Sequence, residues 1–356
     1  MGAPVAGAAW FGALPRVGFA LADGSVATAP ATWEGAARLQ PREAGGVELV
    51  PASDAPPPVM RATVHQAPGL SITSDNDGGV LTGGADGVFA AIAADGTITT
   101  IRQFPGEAVT RVAAAPGALA CVAGHQVCRI GPDAGQIDLG EPATALAFDS
   151  TGQFLAIGLR KRVTIWSGAG RRDLACAGTP IALVWSPDAR HLVAGTAQRR
   201  AAAWSWPDGG EIELGDTPAA PLSLSFSTGG AFVATSGGSR VICWELSGPR
   251  SRRRECGVPS TAGVTRVAAH PSRPLIAAGY ENGAVLLCHP DSADILFMRA
   301  AGGGEITALT WSADGTTLAL GTAGGEIGVV ACPDLLFRPL AGPMAGNITA
   351  DMRQAS

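Results

Sequence analysis
Four stretches of this chain spell nearly the same phrase. LAFDSTGQFLAIG ends at Gly158, LVWSPDARHLVAG at Gly195, VAAHPSRPLIAAG at Gly279 and LTWSADGTTLALG at Gly321. Each is a short apolar run, a turn cluster, a second apolar run and a glycine. A self-similar period constrains the fold more than any single residue does, because each copy must be one supersecondary unit that buries its apolar faces against its neighbours.

Weaker copies end at Gly84, Gly124 and Ser236, so successive phrase ends lie 34 to 43 residues apart. That is close to the roughly 40–45 residues of a four-stranded propeller blade. The apolar runs are only four to six residues long, with turn residues between them, which favours strands over repeated helices. One copy reads in full: Thr144–Phe148 as first strand, Asp149-Ser150-Thr151-Gly152 as turn, Phe154–Gly158 as second, Val163–Trp166 as third and Asp173–Ala177 as fourth. The 49 glycines among 356 residues are spread along such turns, where a positive φ costs glycine nothing.

The Ser186-Pro187-Asp188 and Ser312-Ala313-Asp314-Gly315 turns, with Trp166 and Trp244 closing third strands, resemble the WD40-repeat β-propeller family in a divergent form. The likeness covers about residues 64–338 well and 8–50 weakly. Where the family often has Trp-Asp, this chain has Trp166-Ser167 and Trp244-Glu245. The family's Gly-His before the first strand is missing, while its Asp between second and third strands has counterparts at Asp86 and Asp23. The resemblance therefore implies an all-β propeller in which most of the hydrogen-bonded tetrad of typical blades is lost. Units begin near 64, 106, 141, 179, 220, 262 and 304, and the hairpin Arg16–Ala29 supplies one more. Eight blades are expected, with seven plus an N-terminal decoration as the alternative.

A single domain over 8–338 follows, with a weak first blade over 8–50, a Pro-rich connection over 40–62 and a flexible tail over 339–356. No apolar run reaches the length of about 18 that spans a membrane. The net charge of −5 gives no general pull toward nucleic acid or anionic lipid. Seven cysteines without dense spacing favour reduced thiols and a cytoplasmic address. Abundant Ala, Gly and Arg with a lone lysine, Lys161, suggests a GC-rich bacterial gene. No cofactor is expected.

Three sets of residues are candidate sites. Cys121, His125 and Cys128 could form most of a zinc shell, although Cys121 and Cys128 fall at strand positions that Leu155, Leu192 and Cys243 occupy elsewhere, which favours core packing. Glu107, Glu141, Asp216 and Glu305 precede first strands and would crowd a channel mouth, where carboxylates bind cations or move protons. No His or Arg is aligned with them in sequence, so a solvated rim is the plainer reading. The third set is the most informative. Turns between second and third strands emerge on one face, and three consecutive units are basic there: Arg160-Lys161-Arg162, Arg199-Arg200 and Arg240. The other units carry Asp23, Asp86, Glu281 and Glu326, so the face is expected to be positive on one arc and negative on the other. Arg250 and Arg252–Arg254 are expected in a third-to-fourth connection on the opposite face.

These readings point to a non-enzymatic, monomeric scaffold for protein partners. The alternatives are a propeller enzyme or metal-handling protein, and, more weakly, a phosphate or nucleic-acid binder on the basic arc. No nucleophile elbow, phosphate loop, HExxH or Cys-x-x-Cys is present to favour an enzyme.

Overall fold
A computed structural model describes residues 2–333 apart from 13, 37, 42–46 and 247–250. The tail expected over 339–356, the end of the domain expected over 334–338, and Arg250 lie outside the described residues. Eight antiparallel sheets follow one another along the chain, each with its strands side by side in sequence order from hub to rim. Their innermost strands are Val5–Trp10, Gly69–Ser74, Val109–Ala115, Ala145–Phe148, Pro180–Trp185, Leu224–Phe226, Val264–Ala269 and Ile306–Trp311, here blades 1 to 8. Blades 1 to 7 have four strands, and blade 8 has three among the described residues. Eight is thus the blade count.

The burial pattern explains the apolar runs. Second strands such as Val80–Gly84, Leu155–Leu159 and Ile276–Tyr280 are buried at every residue, because neighbouring blades cover both of their faces. Continuous apolar runs, not alternating ones, are what such strands require. Outermost strands face water: in Gly170–Ala175 only Leu174 is buried.

The recurring Ser or Asp of the phrase has a common task. Asp149 accepts the backbone N–H of Phe154 at 2.7 Å, Ser186 that of His191 at 2.9 Å, Ser227 that of Phe232 at 3.1 Å and Ser312 that of Thr317 at 3.0 Å. One side-chain oxygen thereby closes the turn between first and second strands.

Tryptophans that end first strands tie each blade to the one before it. The Trp185 indole N–H donates to Ala147 O at 3.2 Å and that of Trp311 to Ala268 O at 3.0 Å. The Trp10 indole does the same to Thr310 O at 3.4 Å, across the junction of blades 8 and 1. Val5, Trp10 and Phe19 of blade 1 share a core with Ala308 and Ala319 of blade 8, which closes the ring.

The first blade differs from expectation. It begins at Val5 and its outermost strand is Met60–Thr63, which overlaps the end of the connection expected over 40–62. A separate hairpin, Arg38–Pro41 with Val47–Val50, is inserted ahead of that strand. Met60–Thr63 is mostly exposed, so it carries no apolar signal to mark it as a strand. Arg252–Cys256 is likewise an outermost strand and not a connection. Its Arg253 lies over the Trp244 ring at 5.6 Å, and Arg254 pairs with Glu245 and Asp291.

The indole staples give a direct test. Trp185→Phe keeps the ring but loses the N–H, and is expected to cost about 1 kcal/mol. Trp185→Ala also empties a pocket shared with Phe154 and Trp206, whose rings lie 6.2 and 5.9 Å from it, and is expected to cost about 3–5 kcal/mol. Thermal unfolding followed by circular dichroism should rank wild type, Phe and Ala in that order.

Candidate partner-binding face
The turns between second and third strands all meet the segments that lead into first strands. In blade 4 the Arg160 N–H donates to Glu141 Oε2 at 3.1 Å, in blade 5 the Thr179 N–H donates to Gln198 Oε1 at 2.6 Å, and in blade 7 the Gly263 N–H donates to Glu281 Oε2 at 3.1 Å. These contacts put both kinds of connection on one face of the ring, around one mouth of the central channel.

The six basic residues fall into two groups. Arg160, Lys161 and Arg199 are exposed, whereas Arg162, Arg200 and Arg240 are half-buried. Arg162 is engaged within its own blade, 2.8 Å from Glu141 and 3.8 Å from Asp173. Arg240 donates through Nε to Gly257 O at 3.0 Å. The freely presented charge therefore sits mainly on the turns of blades 4 and 5, which are neighbours, with blade 6 beside them.

Two of these residues hold an uncommon backbone. Lys161 and Arg199 have φ of 59° and 57°, the left-handed region where side chains other than those of Gly and Asn are disfavoured. Blades 1, 2, 7 and 8 place Gly24, Gly87, Gly283 and Gly325 at the corresponding turns, all with positive φ. On the acidic side, Asp23 pairs with Arg61 and Glu326 with Arg299. Glu281 and Asp86 cap backbone N–H groups.

Asp86 belongs to a buried network that the sequence did not disclose. His65 Nδ1 lies 3.0 Å from Asp86 Oδ1, and His65 Nε2 lies 3.0 Å from Thr82 Oγ1. This is most of a tetrad in blade 2, built on Val64-His65 in place of Gly-His. In blade 6 the complementary part survives, where the Trp244 indole N–H donates to Thr235 Oγ1 at 3.2 Å. Burial pushes the Asp86 carboxyl up, but hydrogen bonds from the Gln66 and Val88 N–H groups and the nearby His65 outweigh it and hold the group below its ordinary value.

The four acids do not act as a set. Glu141 is half-buried and occupied by Arg162 and the Arg160 N–H. Glu107 lies against Gly124 in the turn of its own blade. Asp216 is exposed and Glu305 half-buried. Although no His or Arg is aligned with them in sequence, Arg162 lies 2.8 Å from Glu141, and Arg266 reaches the Thr307 carbonyl two residues past Glu305. The Arg side chains reach across from other strands, which linear alignment could not register.

The Cys/His set is not brought together. Cys121 and Cys128 are direct cross-strand partners, both buried, while His125 is exposed at the hairpin tip. Two cross-strand pairs, Val122 with Val127 and Ala123 with Gln126, lie between the cysteine pair and the tip, so His125 is three residues, about 10 Å of strand, from Cys128. Cys128 accepts from Arg102 Nη1 at 2.9 Å. Among the described residues, no group of three or more His, Cys, Asp or Glu side chains is arranged to hold a metal ion.

Sequence and structure comparisons agree with this architecture. Residues 262–333 match the family described as the WD40 domain of anaphase-promoting complex subunit 4. The computationally designed Ika8 protein superposes with a TM-score of 0.70 at 16% identity, covering 93% of this chain and 97% of that one. A chain in the crystal structure of the mitotic checkpoint complex superposes with a TM-score of 0.62 at 15% identity, covering 74% of this chain and 90% of that one. The chain is an eight-bladed β-propeller, and its residues 262–333 are similar to a WD40 domain. Among curated proteins none is significantly similar in sequence. No helix among the described residues of this propeller is long and apolar enough to cross a membrane.

The buried network predicts a pH dependence. Because the folded Asp86 value is depressed, its stabilisation is complete above the unfolded value of about 3.8 and is lost as pH falls through the folded value. Asp86→Asn should be less stable than wild type at pH 7, and the gap should close in urea unfolding carried out progressively below pH 4.

Proposed function
We propose that this propeller is a non-enzymatic scaffold that takes a protein partner with an acidic surface on the positive arc of blades 4 to 6. The observation carrying this reading is the backbone of Lys161 and Arg199. A left-handed conformation costs an ordinary residue about 1 kcal/mol or more relative to glycine. Four other blades of this chain use glycine at the equivalent turn. In blades 4 and 5 long cationic side chains occupy it, on adjacent turns, with exposed tips. Strain of this kind clusters at binding and catalytic sites.

Electrostatics adds orientation. A face positive on one arc and acidic elsewhere selects the rotational setting of a partner and speeds encounter. Guanidinium forks suit the bidentate recognition of carboxylates. The protein described as anaphase-promoting complex subunit 4 and the chain from the mitotic checkpoint complex are both named as parts of complexes. That likeness fits a scaffold, and the partner here is defined by its charge alone.

Two sets of variants test the reading. Combined reversal of Arg160, Lys161, Arg199 and Arg200 to Glu should remove partners that wild type captures from native lysate, scored by quantitative mass spectrometry. Unchanged recovery would overturn the proposal. Lys161→Gly with Arg199→Gly should leave thermal stability equal to or above wild type while weakening capture. A clear loss of stability would mean that the two side chains serve the fold.

A further inference from the structure
The hexapeptide Val-Thr-Arg-Val-Ala-Ala occurs twice, at 109–114 and 264–269. The copies form the innermost strands of blades 3 and 7, which stand opposite each other in an eight-bladed ring. Their arginines adopt the same pose. Arg111 Nε donates to Thr144 O of blade 4 at 3.1 Å and Nη1 to Thr110 O at 2.7 Å. Arg266 Nε donates to Thr307 O of blade 8 at 2.8 Å and Nη1 to Thr265 O at 2.9 Å. Both are half-buried on the channel side of the ring, and both tie their blade to the next.

They differ in charge balance. Arg266 reaches the Thr307 carbonyl, two residues past Glu305, whereas Glu141, the acid that precedes Thr144, is already held by Arg162. Among the described residues no carboxylate pairs with Arg111, and its Nη2 donates to no one. Glu107, the acid that precedes the same strand, is turned onto Gly124. A half-buried guanidinium with only carbonyl partners leaves its charge unneutralised, and buried charge is ordinarily paired.

Arg111 also adjoins the positive arc. The Thr144 carbonyl that it grips belongs to the residue whose N–H and hydroxyl both donate to Gly158 O, two residues before Arg160. The charge of the blade 4 turn thus continues inward to the channel mouth.

We infer that Arg111 anchors the acidic partner: a carboxylate of an extended acidic segment lying across blades 4 to 6 enters the channel mouth between blades 3 and 4 and pairs with the free edge of the Arg111 guanidinium. This inference rests on the reading of the positive arc as the docking face. Arg266 has the same sequence context and the same blade-to-blade hydrogen bonds but stands in the opposite blade, away from the positive arc, so it is the matched control.

The test uses the full chain and a fluorescently labelled oligoglutamate peptide, with binding followed by anisotropy at low salt. Arg111→Gln should weaken binding at least about tenfold, the loss expected for a charge-assisted hydrogen bond. Arg266→Gln should change it less than about twofold, within the effect of a remote charge in water. Both substitutions remove equivalent blade contacts, so equal shifts in thermal unfolding confirm that folding is matched. Should Arg111→Gln not fold, Arg111→Lys keeps the charge without the fork and should bind between wild type and the arc-reversed protein. Equal losses in the Arg111 and Arg266 variants, no loss at Arg111, or no peptide binding by wild type would overturn the inference. If arc reversal abolishes binding while Arg111→Gln does not, only the anchor falls. If arc reversal itself has no effect, the face reading falls as well.

Discussion
Ring closure is the constraint on which everything else depends. A four-stranded sheet buries nothing alone, and each blade here is stable because two neighbours cover its faces. The junction of blades 8 and 1 must pack like any other, although its two sides come from opposite ends of the described chain. Among the described residues it does so through the Trp10 indole on Thr310 O, and through Val5 and Phe19 among alanines of blade 8. Small residues set the spacing. A Cβ on Gly321 would strike Val5, and one on Gly279 would strike Ile306, so glycines at the ends of second strands let the next blade's first strand approach. The glycine that closes each repeated phrase is a packing requirement and not only a turn signal.

This explains why the fold was legible in the sequence and why much of the face was not. Strands buried on both sides need apolar runs, and turns closed by one Ser or Asp need that residue at a fixed place, so both signals recur with the period. Met60–Thr63 carries neither, so nothing in the sequence marks it as a strand. The side-chain partnerships are invisible for another reason. Glu141 meets Arg162, and His65 meets Asp86, across intervals of about 20 residues that no local pattern marks. His65 follows Val64 and not a glycine, so the Gly-His pattern does not mark it, whereas the chemistry needs only an imidazole that reaches Asp86 and Thr82.

The divided tetrad bears on how such a divergent propeller stays folded. Blade 2 keeps His65, Asp86 and Thr82 but has Ile92 at the third-strand position that Trp244 holds in blade 6, which keeps Trp244 and Thr235. Neither holds all four members, yet both are buried and packed. A hydrogen bond between neutral groups contributes about 1 kcal/mol net, whereas burying one large apolar side chain contributes about 1.5–3 kcal/mol. Loss of tetrad members can therefore be offset by a single aromatic or aliphatic replacement, as buried Ile92 illustrates.

That balance also separates scaffold from surface. Arg129, buried to 1%, stacks on Phe148 and Trp166 and donates to the carbonyls of Gly152, Gln153 and Trp166; every contact joins blade 3 to blade 4, and its charge has Asp133 at 3.5 Å. Such an arginine is explained by the fold. Arg162 and Arg240 are similarly engaged by their own blades. Lys161 and Arg199 make no comparable contact, and their backbone conformation works against them. What the ring requires accounts for the first group and leaves the second without a structural reason, and that remainder lies on adjacent turns at one edge of the channel.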